Sequence, residues 1–264
     1  MMKNGPLALV FHSLVVIFIL APLVIVCWVA FTPAPTLTLP FTEFSLRWFR
    51  AIFDHSDFVQ AFKISLWLAF FSATLAVCLG APAALAIARH QFRGRDFLNG
   101  LFLSPLMIPH LVLGISMLRF FALLNQAGSF YWLVLGHVVV ITPYVMRLVL
   151  GALVGFDRSI EHAAESLGAS RAEVFFKITL PLILPGLAGG WLLAFINSFD
   201  ELNMSIFITS PSTVTLPVRM YMYATESIDP MMAAVSAVVI GLTAVAMFVL
   251  DRVYGLDKVL VGRH

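Results

Sequence analysis

The sequence predicts an all-α integral membrane protein, and three observations support this fold class: composition, the length of the apolar runs and the placement of charge. Hydrophobic residues make up 61% of the 264 residues and charged residues only 11%, whereas soluble domains carry about 25% charged residues. The formal net charge of +2 is too small to indicate nucleic-acid binding. The composition therefore excludes an ordinary soluble fold.

Six apolar runs are long enough to cross a membrane as helices. Spanning the hydrocarbon takes about 20 apolar residues, because each backbone N–H and C=O must be bonded within the segment. We expect one transmembrane domain over residues 1–264, with its core helices at about 59–254. The predicted spans, each read as a continuous helix, are Leu7–Phe31, Val59–Ala88, Leu98–Leu124, Tyr131–Val154, Leu182–Ile208 and Met231–Val253.

The basic residues predict the orientation, since Lys and Arg are retained on the cytoplasmic side of short loops. With both termini in the cytoplasm, the inner side holds Lys3, Arg89, Arg93, Arg95, Arg158, Arg171, Lys177, Arg252, Lys258 and Arg263. The outer side then holds only Arg47, Arg50, Lys63 and Arg219. This orientation places residues 157–180 in a cytoplasmic loop.

That loop has the local signals of two short helices joined by a tight turn. The sequence from 159 to 186 is SIEHAAESLGASRAEVFFKITLPLILPG. Gly168 suits the left-handed position that ends a helix, and Ser170 with Glu173 forms the S-x-x-E pattern of a capping box. We expect Leu180-Pro181 to break the second helix before the fifth span begins.

This stretch resembles the EAA loop of permeases in binding-protein-dependent ABC importers. The pattern is Glu-Ala-Ala, three residues, Gly, nine residues, Ile, any residue and Leu-Pro. The matching positions are Ala163, Ala164, Gly168, Ile178, Leu180 and Pro181. His162 stands where the pattern has Glu, and the sequence leaves open whether the neighbouring Glu161 substitutes for it.

The resemblance implies a type I ABC importer permease of the MetI-like fold, in a bacterial inner membrane. In that family the loop is the coupling helix, seated in a groove of a cytoplasmic ATPase. The residues it implies for this role are Glu161, His162, Ala163, Ala164, Gly168, Ile178, Leu180 and Pro181. The implied partners are a second homologous permease, two ABC ATPase subunits and a periplasmic solute-binding protein.

The chain has no G-x-x-x-x-G-K-[ST] sequence, and Gly is never followed by Lys. We therefore expect a transport subunit without catalytic residues or a cofactor of its own, with ATP and Mg²⁺ bound by the ATPase partner. His110 and His137 lack a spacing partner for a metal, so no metal site is expected.

Three stretches are similar to the spermidine/putrescine permease subfamily: FSLRWF at 44–49, FRGRDF at 92–97 and the region 197–230. In the last, Ser198-Phe199-Asp200-Glu201 resembles the Ser-x-Asp-Asp segment of polyamine permeases. The resemblance implies a polyamine or a related amine as the solute, although permeases for other solutes share much of this pattern.

The acidic residues at the end of the fifth span are the candidates for a translocation pathway, because ionisable side chains inside a membrane are costly and usually face a cavity. Asn197, Asp200 and Asn203 recur every three residues and could form one polar stripe. Glu201 would point about 100° away. The alternative is a structural network at the helix end that does not respond to the charge of the solute.

Two other classes of function stay open at this point. An ion-coupled secondary transporter would use Asp200 and Glu201 as its coupling site, but the chain lacks the inverted repeat or pair of broken helices typical of that class. An intramembrane enzyme is less favoured, since no Ser-His or Cys-His arrangement and no metal motif is visible.

Overall fold

The computed structural model describes residues 5–37, 43–154 and 157–254. Across these three ranges the chain forms helices and loops without a strand, and the predicted all-α class is confirmed. The α-helices are Pro6–Val29 (α1), Arg47–Asp54 (α2), Ser56–Arg89 (α3), Arg95–Leu103 (α4), His110–Leu123 (α5), Phe130–Val154 (α6), Ser159–Ser166 (α7), Arg171–Val174 (α8), Leu180–Phe199 (α9), Ser205–Ile208 (α10), Leu216–Glu226 (α11) and Met231–Tyr254 (α12). A 3-10 helix covers Ser104–Met107 and a π-helix covers Phe175–Thr179.

Four helices of the described chain are long and apolar enough to cross a membrane: Leu7–Val29, Ser56–Arg89, Phe130–Leu153 and Arg171–Phe199. A bent pair of helices would make a fifth span. In α12, the stretch Met231–Val245 is also apolar. The number of six spans therefore remains a prediction.

The third predicted span is not one continuous helix. The segments Arg95–Met107 and His110–Leu123 meet at a bend of 105°. Ile108 has extended backbone angles and Pro109 occupies the N-cap of α5. A residue before proline is pushed out of the helical region, so the Ile108-Pro109 pair is the local cause of the bend.

The fifth predicted span begins earlier and ends earlier than expected. Leu180-Pro181 does not break the helix, which runs from Arg171 to Phe199. The N–H of Leu180 bonds the C=O of Phe175, five residues back. Proline normally clashes with the carbonyl four residues before it, and the wider π turn lets the helix pass through Pro181. At the other end, α9 stops at Phe199, so the region up to Ile208 is not one helix.

The described residues fall into two compact units: those within 1–60 together with 220–249, and those within 61–219 together with 250–264. The expectation of a single domain stays a prediction. Within the first unit, the Trp48 indole of α2 donates to the Ala34 carbonyl, and Phe58 packs against Tyr223 at 5.4 Å between ring centroids. The Tyr223 hydroxyl in turn donates to Asp229.

The core of the second unit lies where α6 packs against α9. Its buried centre includes Val140, Ile141, Val145 and Ala194. Small residues let the two backbones approach closely: an added Cβ at Gly190 would lie 3.3 Å from the Val145 Cα. α6 and α9 are therefore a tightly packed pair, and both candidate sites adjoin α9: the hairpin precedes it and the loop of Asp200 follows it.

Candidate functional site

The predicted helical hairpin, residues 157–180, consists of α7, a turn at Gly168, α8 and the π-helix. Gly168 has φ +91°, and the capping box between Ser170 and Glu173 is present in both directions. The backbone N–H and the hydroxyl of Ser159 both donate to the Asp157 carboxylate, and they lower the pKa of that group. The predicted left-handed turn at Gly168 and the predicted capping box are thus both confirmed.

The hairpin exposes an apolar face. Leu167 is 89% exposed and Ile160 49%, and Ala163 is also exposed. Ile160, Ala163, Ala164 and Leu167 recur at spacings of three and four, so they share one side of α7. We call these four residues, with Gly168, the hairpin face.

Glu161 is turned about 100° around α7 from Ile160, away from the hairpin face, and its side chain is only 12% exposed. Its Oε1 accepts from Arg89 Nη2 at 2.5 Å and from the hydroxyl of Thr179. Arg89 is the last residue of α3, and Thr179 is the last residue of the π-helix. We call Arg89, Glu161 and Thr179 the clamp, because they join three elements that are far apart in the sequence.

His162 and Glu161 have different surroundings. The His162 side chain is 73% exposed and lies 3.7 Å from Glu165 on its own helix. The carboxylate that holds the hairpin to the transmembrane helices is therefore that of Glu161. Of the other predicted hairpin residues, Ile178 and Leu180 are partly buried, and Pro181 is exposed.

The second group of predicted residues lies at the end of α9, in a loop rather than along one helix. Asp200 caps α9, and α10 starts only at Ser205. The predicted helical stripe is therefore wrong beyond Asn197, whose side-chain amide donates to the Leu193 carbonyl of its own helix. Asp200 and Asn203 are exposed, whereas Glu201 is buried.

Glu201 is held by two contacts on the inner side of this loop. Its Oε2 lies 2.7 Å from His110 Nδ1, at the start of α5, and its Oε1 accepts the N–H of Met204 at 2.8 Å. The two neighbouring acids thus have different surroundings: Glu201 connects the loop to α5, whereas Asp200 is exposed.

His137 fastens the same loop from α6. It is fully buried, with Nδ1 at 2.9 Å from Ser198 Oγ and Nε2 at 3.0 Å from Ser205 Oγ. One serine precedes the loop and the other follows it. The sequence marked His110 and His137 only as residues without a metal partner and Arg89 only as a cytoplasmic basic residue. It did not single out Thr179, because pairs this distant leave no local signal.

Comparison with known proteins decides the family. The profile described as "Binding-protein-dependent transport system inner membrane component" matches residues 76–256. The chain belongs to this family. It is the permease subunit of an ABC importer, a multi-pass inner-membrane component that transports rather than catalyses.

Two relatives of the permease are polyamine transport proteins. The spermidine/putrescine transport system permease protein PotC of Escherichia coli (strain K12) is 34% identical over 81% of this chain and 81% of its own. The putrescine transport system permease protein PotI of the same strain is 32% identical over 88% of this chain and 85% of its own.

A solved structure supports the fold. It is a bacterial alginate ABC transporter in complex with an alginate pentasaccharide-bound periplasmic protein, and its matching chain has a TM-score of 0.72 at 15% identity. The match covers 94% of both chains. At this identity the likeness concerns the fold alone. The family leaves the ion-coupled transporter and the intramembrane enzyme without support.

Proposed function

We propose that this permease carries a polyamine or a related cationic amine through the inner membrane, driven by ATP hydrolysis in a partner that docks on the hairpin. Each complex would hold this chain, a second homologous permease, two ABC ATPase subunits with ATP and Mg²⁺, and a periplasmic binding protein that delivers the solute. Both termini would lie in the cytoplasm, as the basic residues predict.

The exposed apolar hairpin face is the observation that carries the ATPase assignment. Water is an unfavourable neighbour for a side chain such as Leu167, which is 89% exposed. Ala163, Ala164 and Gly168 are small enough for a partner backbone to come close. Ile178, Leu180 and Pro181 would then join this docked segment to α9.

The solute assignment rests on the two polyamine relatives and on the charge of the loop after α9. Asp200 and Asn203 are exposed on this loop, while Glu201 is occupied by His110. A carboxylate and an amide oxygen are suitable acceptors for an ammonium group. We assign Asp200 and Asn203 to the translocation pathway, with Asn197 one turn before them on α9. Glu201 becomes the residue that positions the loop.

Cross-linking tests the docking half of the proposal. Cys27 and Cys78 are the two cysteines of the chain, and replacing both by Ser leaves a background for Leu167→Cys. In the assembled transporter we expect this cysteine to cross-link to the ATPase. A cysteine at exposed Phe53, on the predicted outer side, is the matched control. Cross-linking of Phe53→Cys instead of Leu167→Cys would refute both docking and orientation.

Uptake into proteoliposomes tests the solute half. With ATP and a binding protein present, we expect Asp200→Asn to lower the uptake of radiolabelled spermidine, while Glu226→Gln, an exposed carboxylate on α11, leaves it unchanged. Unchanged uptake kinetics in Asp200→Asn would remove this residue from the pathway. Failure of spermidine and putrescine to accumulate in the unaltered complex would refute the polyamine assignment.

A further inference from the structure

The clamp connects the hairpin to α3, and none of its three residues belongs to the EAA pattern. Glu161, on α7, accepts from Arg89 and from Thr179, and Arg89 Nη2 also lies 3.4 Å from Thr179 Oγ1. Thr179 is fully buried, and the side chains of Glu161 and Arg89 are 12% and 22% exposed. The charged pair is therefore largely withdrawn from water. Removing one partner of such a pair is costly, because the remaining charge loses its counter-charge.

A second contact joins α7 to the end of α3. The last carbonyls of a helix have no partner within the helix. Arg158, just before α7, donates to the Ala88 carbonyl at 3.1 Å, and Arg95 donates to the Ile87 carbonyl at 2.7 Å. The start of the hairpin thus contacts the end of α3 at two points: Arg158 donates to the Ala88 carbonyl, and Glu161 accepts from the Arg89 side chain.

The hairpin consequently reaches the transmembrane helices by two routes. One is covalent: α8 continues through the π-helix into α9 as a single helix from Arg171 to Phe199. The other is the clamp, which leads to α3. Thr179 belongs to both routes, since it ends the π-helix and donates to Glu161.

We propose that Glu161 and Arg89 are positioning residues that transmit movement of the docked hairpin to α3, in parallel with its covalent connection to α9. This inference rests on the proposed docking of the hairpin face. α7 has two functional sides: Leu167 and its neighbours meet the ATPase, and Glu161 faces the membrane helices. His162 stands where the family pattern has Glu, but this departure then leaves the transmission of movement to α3 intact, because the carboxylate that contacts Arg89 is that of Glu161.

A double-mutant cycle in the reconstituted transporter tests this inference. The variants are Glu161→Gln, Arg89→Gln and the two together, with Asp96→Asn on α4 as the control. For each variant, three quantities are measured: cross-linking of Leu167→Cys to the ATPase, ATP hydrolysis stimulated by the binding protein, and spermidine taken up per ATP hydrolysed.

We expect each single variant to retain cross-linking and hydrolysis but to lower uptake per ATP about tenfold, as for the loss of one charge-assisted hydrogen bond from the coupling step. The double variant should be no worse than the poorer single variant, because the pair acts as one unit. Asp96→Asn should match the unaltered transporter.

Three outcomes would overturn the clamp: unchanged uptake per ATP in both single variants, losses that add in the double variant, or loss of cross-linking confined to the clamp variants. The last would mean that the clamp only holds the hairpin in place for docking. Failure of Leu167→Cys to cross-link with an intact clamp would refute the proposed docking site and, with it, this inference. Retained cross-linking with unchanged uptake per ATP in the clamp variants would refute the inference alone.

Discussion

Replacing Gly186 by Ala tests the close packing of α6 and α9 on which both candidate sites are built. A Cβ at Gly186 would lie 2.6 Å from the Ala152 Cβ and 3.1 Å from the Leu148 carbonyl oxygen. Neither atom is the end of a flexible side chain, so the helices themselves must move apart. Gly151, on α6, is the matched control, because among the described residues a Cβ there would meet no atom of another element within 4 Å.

The magnitude follows from two opposing effects. Ala is favoured over Gly in a helix by about 1 kcal/mol, and both variants gain this amount. Overpacking a tight interface costs about 1–3 kcal/mol, and only Gly186→Ala bears it. The two variants should therefore differ by about 1–3 kcal/mol in the free energy of unfolding, with Gly186→Ala the less stable.

Thermal unfolding of the detergent-solubilised permease, followed by the fraction that stays monodisperse after heating, measures this difference. Ala152→Gly removes the 2.6 Å contact and leaves the one with Leu148, but it also costs about 1 kcal/mol of helix propensity. Gly186→Ala should therefore cost less stability in the Ala152→Gly background, measured against Ala152→Gly alone, than in the unaltered chain. A Tm for Gly186→Ala equal to or above that of Gly151→Ala would refute the reasoning. So would an equal cost of Gly186→Ala in the unaltered chain and in the Ala152→Gly background.

Two more predictions concern His137 and Gly168. His137→Phe should leave Ser198 and Ser205 without their buried partner and lower stability by about 1–3 kcal/mol for each hydroxyl that stays unpaired. His137→Gln, which can keep one of these bonds, should lose less in the same thermal assay, and an equal loss would contradict the hydrogen-bond argument. Gly168→Ala should raise the free energy of the folded hairpin by about 1–2 kcal/mol, which is the cost of a left-handed backbone conformation for a residue with a Cβ. Gly168→Asn should be milder, because Asn tolerates this conformation. Binding-protein-stimulated ATP hydrolysis reads out both Gly168 variants, and equal activity of Ala, Asn and Gly at this position would count against a role for the turn.

The separation of Glu201 from Asp200 illustrates why adjacent residues of one type need not share a function. Both are acids at the end of an apolar run, and the sequence separates them only by the angle of about 100° that neighbouring residues have around one helix. Glu201 is buried because His110 and the Met204 N–H supply its partners, and Asp200 is exposed because the loop turns there. The first is therefore a residue that orders the loop, and the second is exposed, as the proposed pathway role requires.

The sequence by itself determined the features that depend on a few neighbouring residues. The apolar runs predicted an all-α membrane protein, because hydrocarbon requires backbone bonds to close within each helix. The turn at Gly168 and the capping box from Ser170 to Glu173 were also predicted, since each is a local hydrogen-bonding arrangement.

Only the tertiary structure decided the contacts between distant residues and the helix geometry that depends on them. Arg89 and Glu161 are 72 residues apart, and His110 and Glu201 are 91 apart, so their pairing depends on how helices pack rather than on local sequence. The π turn at Phe175–Thr179 and the end of α9 at Phe199 corrected the predicted fifth span. A proline or an apolar run signals a tendency, and the packing around it determines whether the helix bends, widens or stops.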